Sequence, residues 1–304
     1  MAGISFFIPA YNCSETIAES VDSIMETNFV DGDELIIVND FSSDSTSEVL
    51  ENIKRKYSET IIITHSYNKG GAAARNTAIE KSKNDLLFCL DSDNVLEKNS
   101  ITPLKNELNK QEADIASFQE MRYFNSKNCA ETNYIWRFLR ITALADFMAD
   151  HKNPGSSGNY LFTKDSWRAA KGYPEFAGAL DTWGFCFRQL ASGSKLVSLA
   201  GSYYFHRYGT DSYYIRDMNR HNMSSIALQI ILPYRHLINP EDLDYMMSEE
   251  HKLTWLEKLD SRAIRIASRP PGSKSIQINI NKNYSGDSLV RKIYHKLKKA
   301  FFLA

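Results

Sequence analysis

The first third of the chain alternates short unbroken apolar runs with longer segments whose apolar residues recur every three or four positions. Ile4-Ser5-Phe6-Phe7-Ile8 reads as a buried strand stopped by Pro9. Pro9-Ala10-Tyr11-Asn12 follows as a loop and Ser14 as a helix N-cap. Ile17, Val21, Ile24 and Met25 then form the inner face of a helix. The cycle repeats with a strand over 35–38, a loop over 39–45 and a helix through Lys56. A strand over 61–63, the turn Asn68-Lys69-Gly70-Gly71, a helix over 72–81 and a strand over 86–90 complete it. This alternation predicts right-handed βαβ units and a parallel sheet. Loops 9–12, 39–45 and 91–94 then meet at the carboxyl ends of the strands, where open α/β sheets bind ligands.

Beyond residue 120 the pattern loosens. A strand is expected over 114–118, and 133–150 reads as an amphipathic helix rich in aromatics (Tyr134, Trp136, Phe138, Phe147). A polar loop over 151–159 could cover a ligand or be a plain turn. A helix over 164–170, a second helix carrying Arg188, and short strands over 195–199 and 203–205 precede His206-Arg207-Tyr208. Met223, Ile226, Ala227 and Ile230 mark another helical face. Asn239-Pro240 opens a helix with proline at its first position, and 241–260 reads as an acidic, solvated helical face. A break at 270–273 and a β-like stretch over 275–280 lead to the end of the chain. There Leu289, Ile293, Leu297 and Phe301 share one face, and five cations stand without an acid among them. Residues 288–304 thus suit an anionic bilayer surface, and equally a helix packed on its own domain or a dimer contact.

Composition narrows the class only slightly. A hydrophobic fraction of 43% and a charged fraction of 24% are those of a soluble globular protein, and a net charge of −1 gives no field for nucleic acid. Cys13, Cys89, Cys129 and Cys186 have no C-x-x-C spacing and read as reduced thiols in a cytoplasmic protein. The N-terminus lacks the basic region of a signal peptide, and no apolar run approaches the roughly 20 residues of a membrane span.

Asp91-Ser92-Asp93 ends the strand over 86–90. Two carboxylates this close need a proton or a cation between them, and Mg²⁺ or Mn²⁺ would bring phosphate oxygens along. Alone, Asp-x-Asp describes a turn or a cap equally well. Gly70-Gly71 is not the G-x-G-x-x-G dinucleotide fingerprint. By position, Arg75 is either a solvated charge or a donor aimed at the site.

Five segments in order, FFIPAYN (6–12), ELIIVNDFSSDST (34–46), NKGGAAARNTAIEKSKNDLLFCLDSDN (68–94), SSGNYLFTKDSWRAAKGYPE (156–175) and DTWGFCFRQLASG (181–193), resemble glycosyltransferase family 2. These are inverting, nucleotide-sugar-dependent enzymes, and the likeness covers roughly residues 3–210. It implies an α/β fold of the GT-A type, Rossmann-like, with a mostly parallel central sheet flanked by helices. Residues 1–120 would bind the nucleotide sugar and 121–215 the acceptor, with a mainly helical extension over 216–304.

Carried over by position, the resemblance assigns Pro9, Ala10, Tyr11, Asn12 and Asp40 to the base and ribose, and Arg75, Asp91 and Ser92 to the donor. Asp93 becomes the direct ligand of a divalent metal, Mn²⁺ or Mg²⁺, with Asp91 on its water shell. His206 is a candidate second ligand, against the plainer reading of a locally bonded histidine. Arg207 would pair with phosphate or with a surface acid. Two positions depart from the family. Asn39-Asp40-Phe41-Ser42 stands where Asp-Asp-Gly-Ser is usual, and Leu180-Asp181 where Glu-Asp is usual; counting back from Arg188 puts Asp181 where the family's Glu often stands, whereas matching by acid identity makes it the base. Asp181, the one acid there, is the expected general base, Glu175 the fallback, and Trp183 a floor for the acceptor.

The expected activity is transfer from a nucleoside diphosphate sugar of the UDP type to a saccharide or lipid-linked acceptor. It would take place in the cytoplasm or on the inner face of the membrane, and a homo-oligomer is compatible with it. The competing readings are a nucleotidyltransferase and a nucleotide-sugar-binding scaffold without turnover.

Overall fold

The computed structural model describes residues 3–125, 129, 131–208 and 222–272. Its strands are β1 (Ile4–Ala10), β2 (Glu34–Asn39), β3 (Ile61–Thr64), β4 (Leu86–Cys89), β5 (Val95–Leu96), β6 (Ile115–Phe124), β7 (Tyr134–Arg137), β8 (Ile141–Thr142), β9 (Tyr160–Thr163) and β10 (Leu196–Arg207). The helices are α1 (Ile17–Met25), α2 (Thr46–Lys56), α3 (Gly71–Lys81), α4 (Ile101–Lys110), α5 (Leu144–Phe147), α6 (Lys164–Ala169), α7 (Asp181–Ala191), α8 (Met223–Ile231) and α9 (Pro240–Met247).

One sheet runs β3-β2-β1-β4-β9-β6-β10-β5, with β7 paired to β6 and β8 to β10. The first four strands are parallel, as the alternation predicts. Beyond them β9 pairs antiparallel with both β4 and β6, β6 and β10 are parallel, and β5 is antiparallel to β10. Successive side chains of the parallel strands feed opposite cores. Phe6, Ile8, Leu35, Ile37 and Phe88 pack with α1, α2 and α4. Phe7, Ile36, Val38, Leu87 and Cys89 pack with α3 and α7. A strand covered on both faces must be apolar throughout, which is why these runs are unbroken.

Several expectations need correction. Pro9 does not stop β1, which pairs through Pro9↔Val38 and Ala10↔Asn39. Phe7 accepts from Leu90 N and so faces β4, and Pro9, two residues on, faces the same side beyond the end of β4. Its missing N–H therefore removes no ladder bond. Ser14 does not cap α1; its amide donates to Asp44 instead (3.2 Å). No helix spans 133–150. Tyr134–Arg137 alternates half-buried and exposed with the period of a strand, and Tyr123 of β6 stacks on Tyr134 at 4.2 Å. The two short strands expected over 195–205 are one, β10, with a register shift between Leu199 and Tyr203.

The segment 241–260 is not uniformly solvated. Asp242 is buried and bonded to Arg265 (Nε, 2.8 Å), and Trp255 is buried with its indole N–H on Ser224 O (3.0 Å). Residues 222–272 belong to the same compact unit as the sheet. A Cβ added to Gly184 of α7 would stand 2.7 Å from Ile230 of α8, which shows how closely these helices pack. Tight packing of this kind allows only hydrogen at the crossing. All four cysteines are free thiols, three of them buried. Among the described residues no helix is long and apolar enough to cross a membrane. The β-like stretch over 275–280 and the basic segment 288–304 lie outside the described residues.

Candidate active site

The three loops expected to converge are stitched together. Ala10 O accepts from Asp40 N (2.8 Å). Asn12 N donates to Ser42 Oγ (3.0 Å), and Asn12 Oδ1 accepts from Ser43 N (2.8 Å). Thr16 Oγ1 donates to Ser92 O (2.9 Å), tying the third loop to the start of α1. Burial would raise the Asp44 carboxyl, but the hydroxyls and amides of Thr46 and Ser14 outweigh it and hold Asp44 down at about 2.

Asp40 is turned inward. It is 2% exposed, and its oxygens accept from Lys69 N (2.8 Å) and Gly70 N (2.7 Å) and bond His65 Nδ1 (2.6 Å). His65 reaches Thr77 of α3 through Nε2 (3.0 Å). This carboxylate fixes the turn that launches α3. Both glycines of that turn have a reason. Gly70 has φ +90°, and a Cβ on Gly71 would meet Arg75 Nη1 at 2.8 Å and Asp181 Oδ2 at 3.3 Å.

Arg75 is the hub. It is 8% exposed and sits on the first turn of α3, with Nη1 on Asp181 Oδ2 (2.6 Å) and Nη2 on Asp91 Oδ1 (2.8 Å). Tyr173 lies beneath the guanidinium, 5.6 Å from its ring centre. Asp181 opens α7 and accepts from Thr182 N (2.6 Å), so a helix N-terminus adds to the stabilisation of its charge. Asp91 is gripped from its other side by Asn159. The Asp91 amide donates to Asn159 Oδ1 (2.8 Å), and Asn159 Nδ2 donates to Asp91 Oδ2 (3.1 Å). The candidate base and the acidic strand end, 90 positions apart in the chain, are thus joined by one side chain. The surface-charge reading of Arg75 does not hold.

Asp93 is in a different state. Burial first, then the charge of Asp91, pushes its carboxyl up to about 7. A carboxyl so raised fits an added cation. Among the described residues, however, no three His, Cys, Asp or Glu side chains converge to hold one. The donor set therefore suits an ion that keeps water and takes phosphate oxygens, as Mg²⁺ and related ions do. His206 does not close a three-ligand site with Asp91 and Asp93. Its Nδ1 is 3.3 Å from the Tyr204 hydroxyl, its ring packs 4.8 Å from that of Tyr123, and burial holds it neutral by lowering it to about 4.

The remaining candidates divide. Pro9 and Ala10 supply strand backbone, whereas Tyr11 stands 45% exposed at the edge. Trp183 is 5% exposed, between Phe147 (5.2 Å) and Phe187 (5.8 Å), so it is core and offers an acceptor no floor. Glu175 is exposed, accepts from Asn76 Nδ2 (3.0 Å) and takes no part in the Arg75 bridge. Arg207 pairs with Glu19 and donates to Asp93 O (3.1 Å). Asn159 was not singled out by its sequence; it lies in the polar loop 151–159 and in the family-like segment 156–175.

The profile of Glycosyl transferase family 2 matches residues 5–167, more than half of the chain. A poly(ribitol-phosphate) beta-glucosyltransferase of Bacillus spizizenii is 33% identical over 114 residues, 37% of this chain and 18% of that protein. A poly-beta-1,6-N-acetyl-D-glucosamine synthase of Staphylococcus aureus is 33% identical over 100 residues, 33% of this chain and 24% of that protein. The matched stretch thus spans less than a quarter of either relative. Among solved structures, S. aureus TarS 1–349 in complex with UDP-GlcNAc aligns with a TM-score of 0.61 at 17% identity, covering 85% of this chain and 70% of that one. A mannosyltransferase of Pyrobaculum calidifontis in complex with GDP-Man and Mn²⁺ aligns with a TM-score of 0.54 at 15% identity, covering 76% and 63%. The shared architecture is the GT-A type. The chain belongs to glycosyl transferase family 2.

Proposed function

We propose that this chain is an inverting glycosyltransferase that moves a sugar from a nucleoside diphosphate sugar of the uridine series to a hydroxyl of a saccharide or lipid-linked saccharide acceptor. The observation that carries the reading is the Arg75 bridge, which sets a buried carboxylate beside the acidic end of β4. The UDP-GlcNAc bound in the TarS structure supports a uridine donor, and the two relatives are named for building polymers.

In this reading the donor's diphosphate lies along 91–93 and its base against loops 9–12 and 39–45. The acceptor oxygen bonds to the anomeric carbon as that carbon's bond to the β-phosphate oxygen breaks, and the electron pair leaves on the diphosphate. One displacement inverts the centre. The acceptor's proton passes to Asp181, a transfer that typically contributes about 10²–10⁴ in rate. Arg75 and the Thr182 amide aim that carboxylate before the transfer. Asn159 orients Asp91 on the donor side. Asp93, with Asp91 beside it, would hold a divalent ion together with the donor phosphates. Such an ion would neutralise charge on the leaving diphosphate.

The test is a panel of UDP-, GDP- and dTDP-sugars scored by thermal shift with and without Mn²⁺. A ligand at about 100 times its Kd adds about 2.7 kcal/mol of stability, which a melt resolves readily. Stabilisation by the uridine series, larger with Mn²⁺, is expected. The same melting temperature with every donor would overturn the reading.

A further inference from the structure

We propose that Phe41 is a stacking surface for the donor's nucleobase; this rests on the nucleotide-sugar reading above. Phe41 holds φ +62° and is 54% exposed. A bulky aromatic residue in the left-handed region is a conformational outlier, and glycine would adopt that backbone without strain. Strain of this kind persists where the surroundings over-determine it, and it gathers at ligand sites.

The surroundings do over-determine it. On one side of Phe41, Asp40 N donates to Ala10 O and Asn68 Nδ2 donates to Asp40 O (3.2 Å). On the other, Ser42 Oγ accepts from Asn12 N and Ser42 N donates to Asn39 Oδ1 (3.0 Å). Four bonds thus fix the backbone about Phe41 and leave its ring at the surface, on the strand edge that carries Tyr11.

Two of the polar side chains at the end of β2, Asn39 and Asp40, are already engaged. Asp40 is bonded inward, and Asn39 holds Ser47 Oγ (3.1 Å) and Ser42 N. What Phe41 presents to a base is aromatic surface. Every nucleobase has a π-face, so Phe41 would add affinity without choosing among bases. Hydrogen bonds that distinguish uracil would have to come from backbone or from the base's other edge.

The experiment is calorimetric titration of the full chain and its Phe41→Gly and Phe41→Leu variants with UDP, GDP and inorganic pyrophosphate, in Mn²⁺. The glycine variant should lose about tenfold in affinity for UDP and GDP alike, equivalent to about 1.4 kcal/mol. Pyrophosphate, which has no base, should bind as before. The melting temperature of that variant should hold or rise, because glycine relieves the strained φ. Phe41→Leu keeps the bulk and loses the ring, so it should bind as weakly as the glycine variant. UDP affinity within twofold of wild type in Phe41→Gly would overturn the proposal, as would a fall in melting temperature with equal losses for UDP and pyrophosphate. A wild-type chain that binds neither nucleotide would instead overturn the donor reading, and this subsite with it.

Discussion

Replacing Arg75 by methionine is the most demanding test of the site. The side chain is 10% exposed, and it separates Asp181, 7% exposed, from Asp91, 24% exposed. Methionine keeps much of the packing on Tyr173 and leaves two carboxylates facing a gap without a cation. Breaking a buried ion pair from one side costs about 3–5 kcal/mol. Water reaches Asp91, so the lower end applies, about 3 kcal/mol. For a chain of this length that is a fall of about 5 °C in melting temperature.

Turnover should fall further than stability explains. Without Nη1 the carboxylate of Asp181 loses the contact that aims it, and an error near 1 Å in a reacting group costs about 100-fold. Arg75→Lys should recover most of the stability and little of the rate, because one ammonium cannot bond both acids as the guanidinium fork does. The double variant Arg75→Met/Asp181→Asn should be more stable than the sum of the two single losses, by about 1–2 kcal/mol, because the like-charge conflict is gone. Thermal melts and steady-state rates on the four proteins measure both effects. Additive losses, or a methionine variant with wild-type turnover, would refute the bridge as the organiser of the site.

Asp181→Asn alone should lower turnover by about 10³ while UDP affinity stays within twofold; unchanged turnover would remove Asp181 from the chemistry. Asp93 gives a pH signature. Its carboxyl is raised on folding from 3.8 to about 7, so its contribution to stability is full below 3.8 and is lost as pH rises through about 7. Metal-free wild type should therefore lose more melting temperature between pH 4 and pH 8 than Asp93→Asn does, and parallel curves would contradict this. Trp183→Ala should cost about 3–5 kcal/mol of stability as a core deletion, whereas Trp183→Phe should leave the acceptor KM unchanged. A raised KM in the phenylalanine variant at normal stability would restore an acceptor role.

What could be read in the sequence follows from which physical signals are local. The parallel half declares itself because strands covered on both faces are apolar throughout, as at 35–38 and 86–90. The antiparallel half does not. In β7 four residues alternate between half-buried and exposed, too few to separate a strand from a helix rich in aromatics. Carboxylates at strand ends are visible, but their orientation is not. Asp40 and Asp91 both follow a buried strand, and only the fold shows that one braces a turn while the other meets Arg75. Arg75 to Asp181 is a contact over 106 positions, and Asp91 to Asn159 one over 68, so neither leaves a local trace.

The family departure at Leu180-Asp181 shows the same division. Leu180 is 5% exposed and packs in the core between the 178–180 turn and α7, where an ionised acid would be costly. Asp181, one residue on, is the first residue of α7 and lies within reach of Arg75. Position 181 holds an acid that the arginine can bind, and position 180 a side chain that the core accepts. That geometry favours Asp181 over the exposed Glu175 as the candidate base.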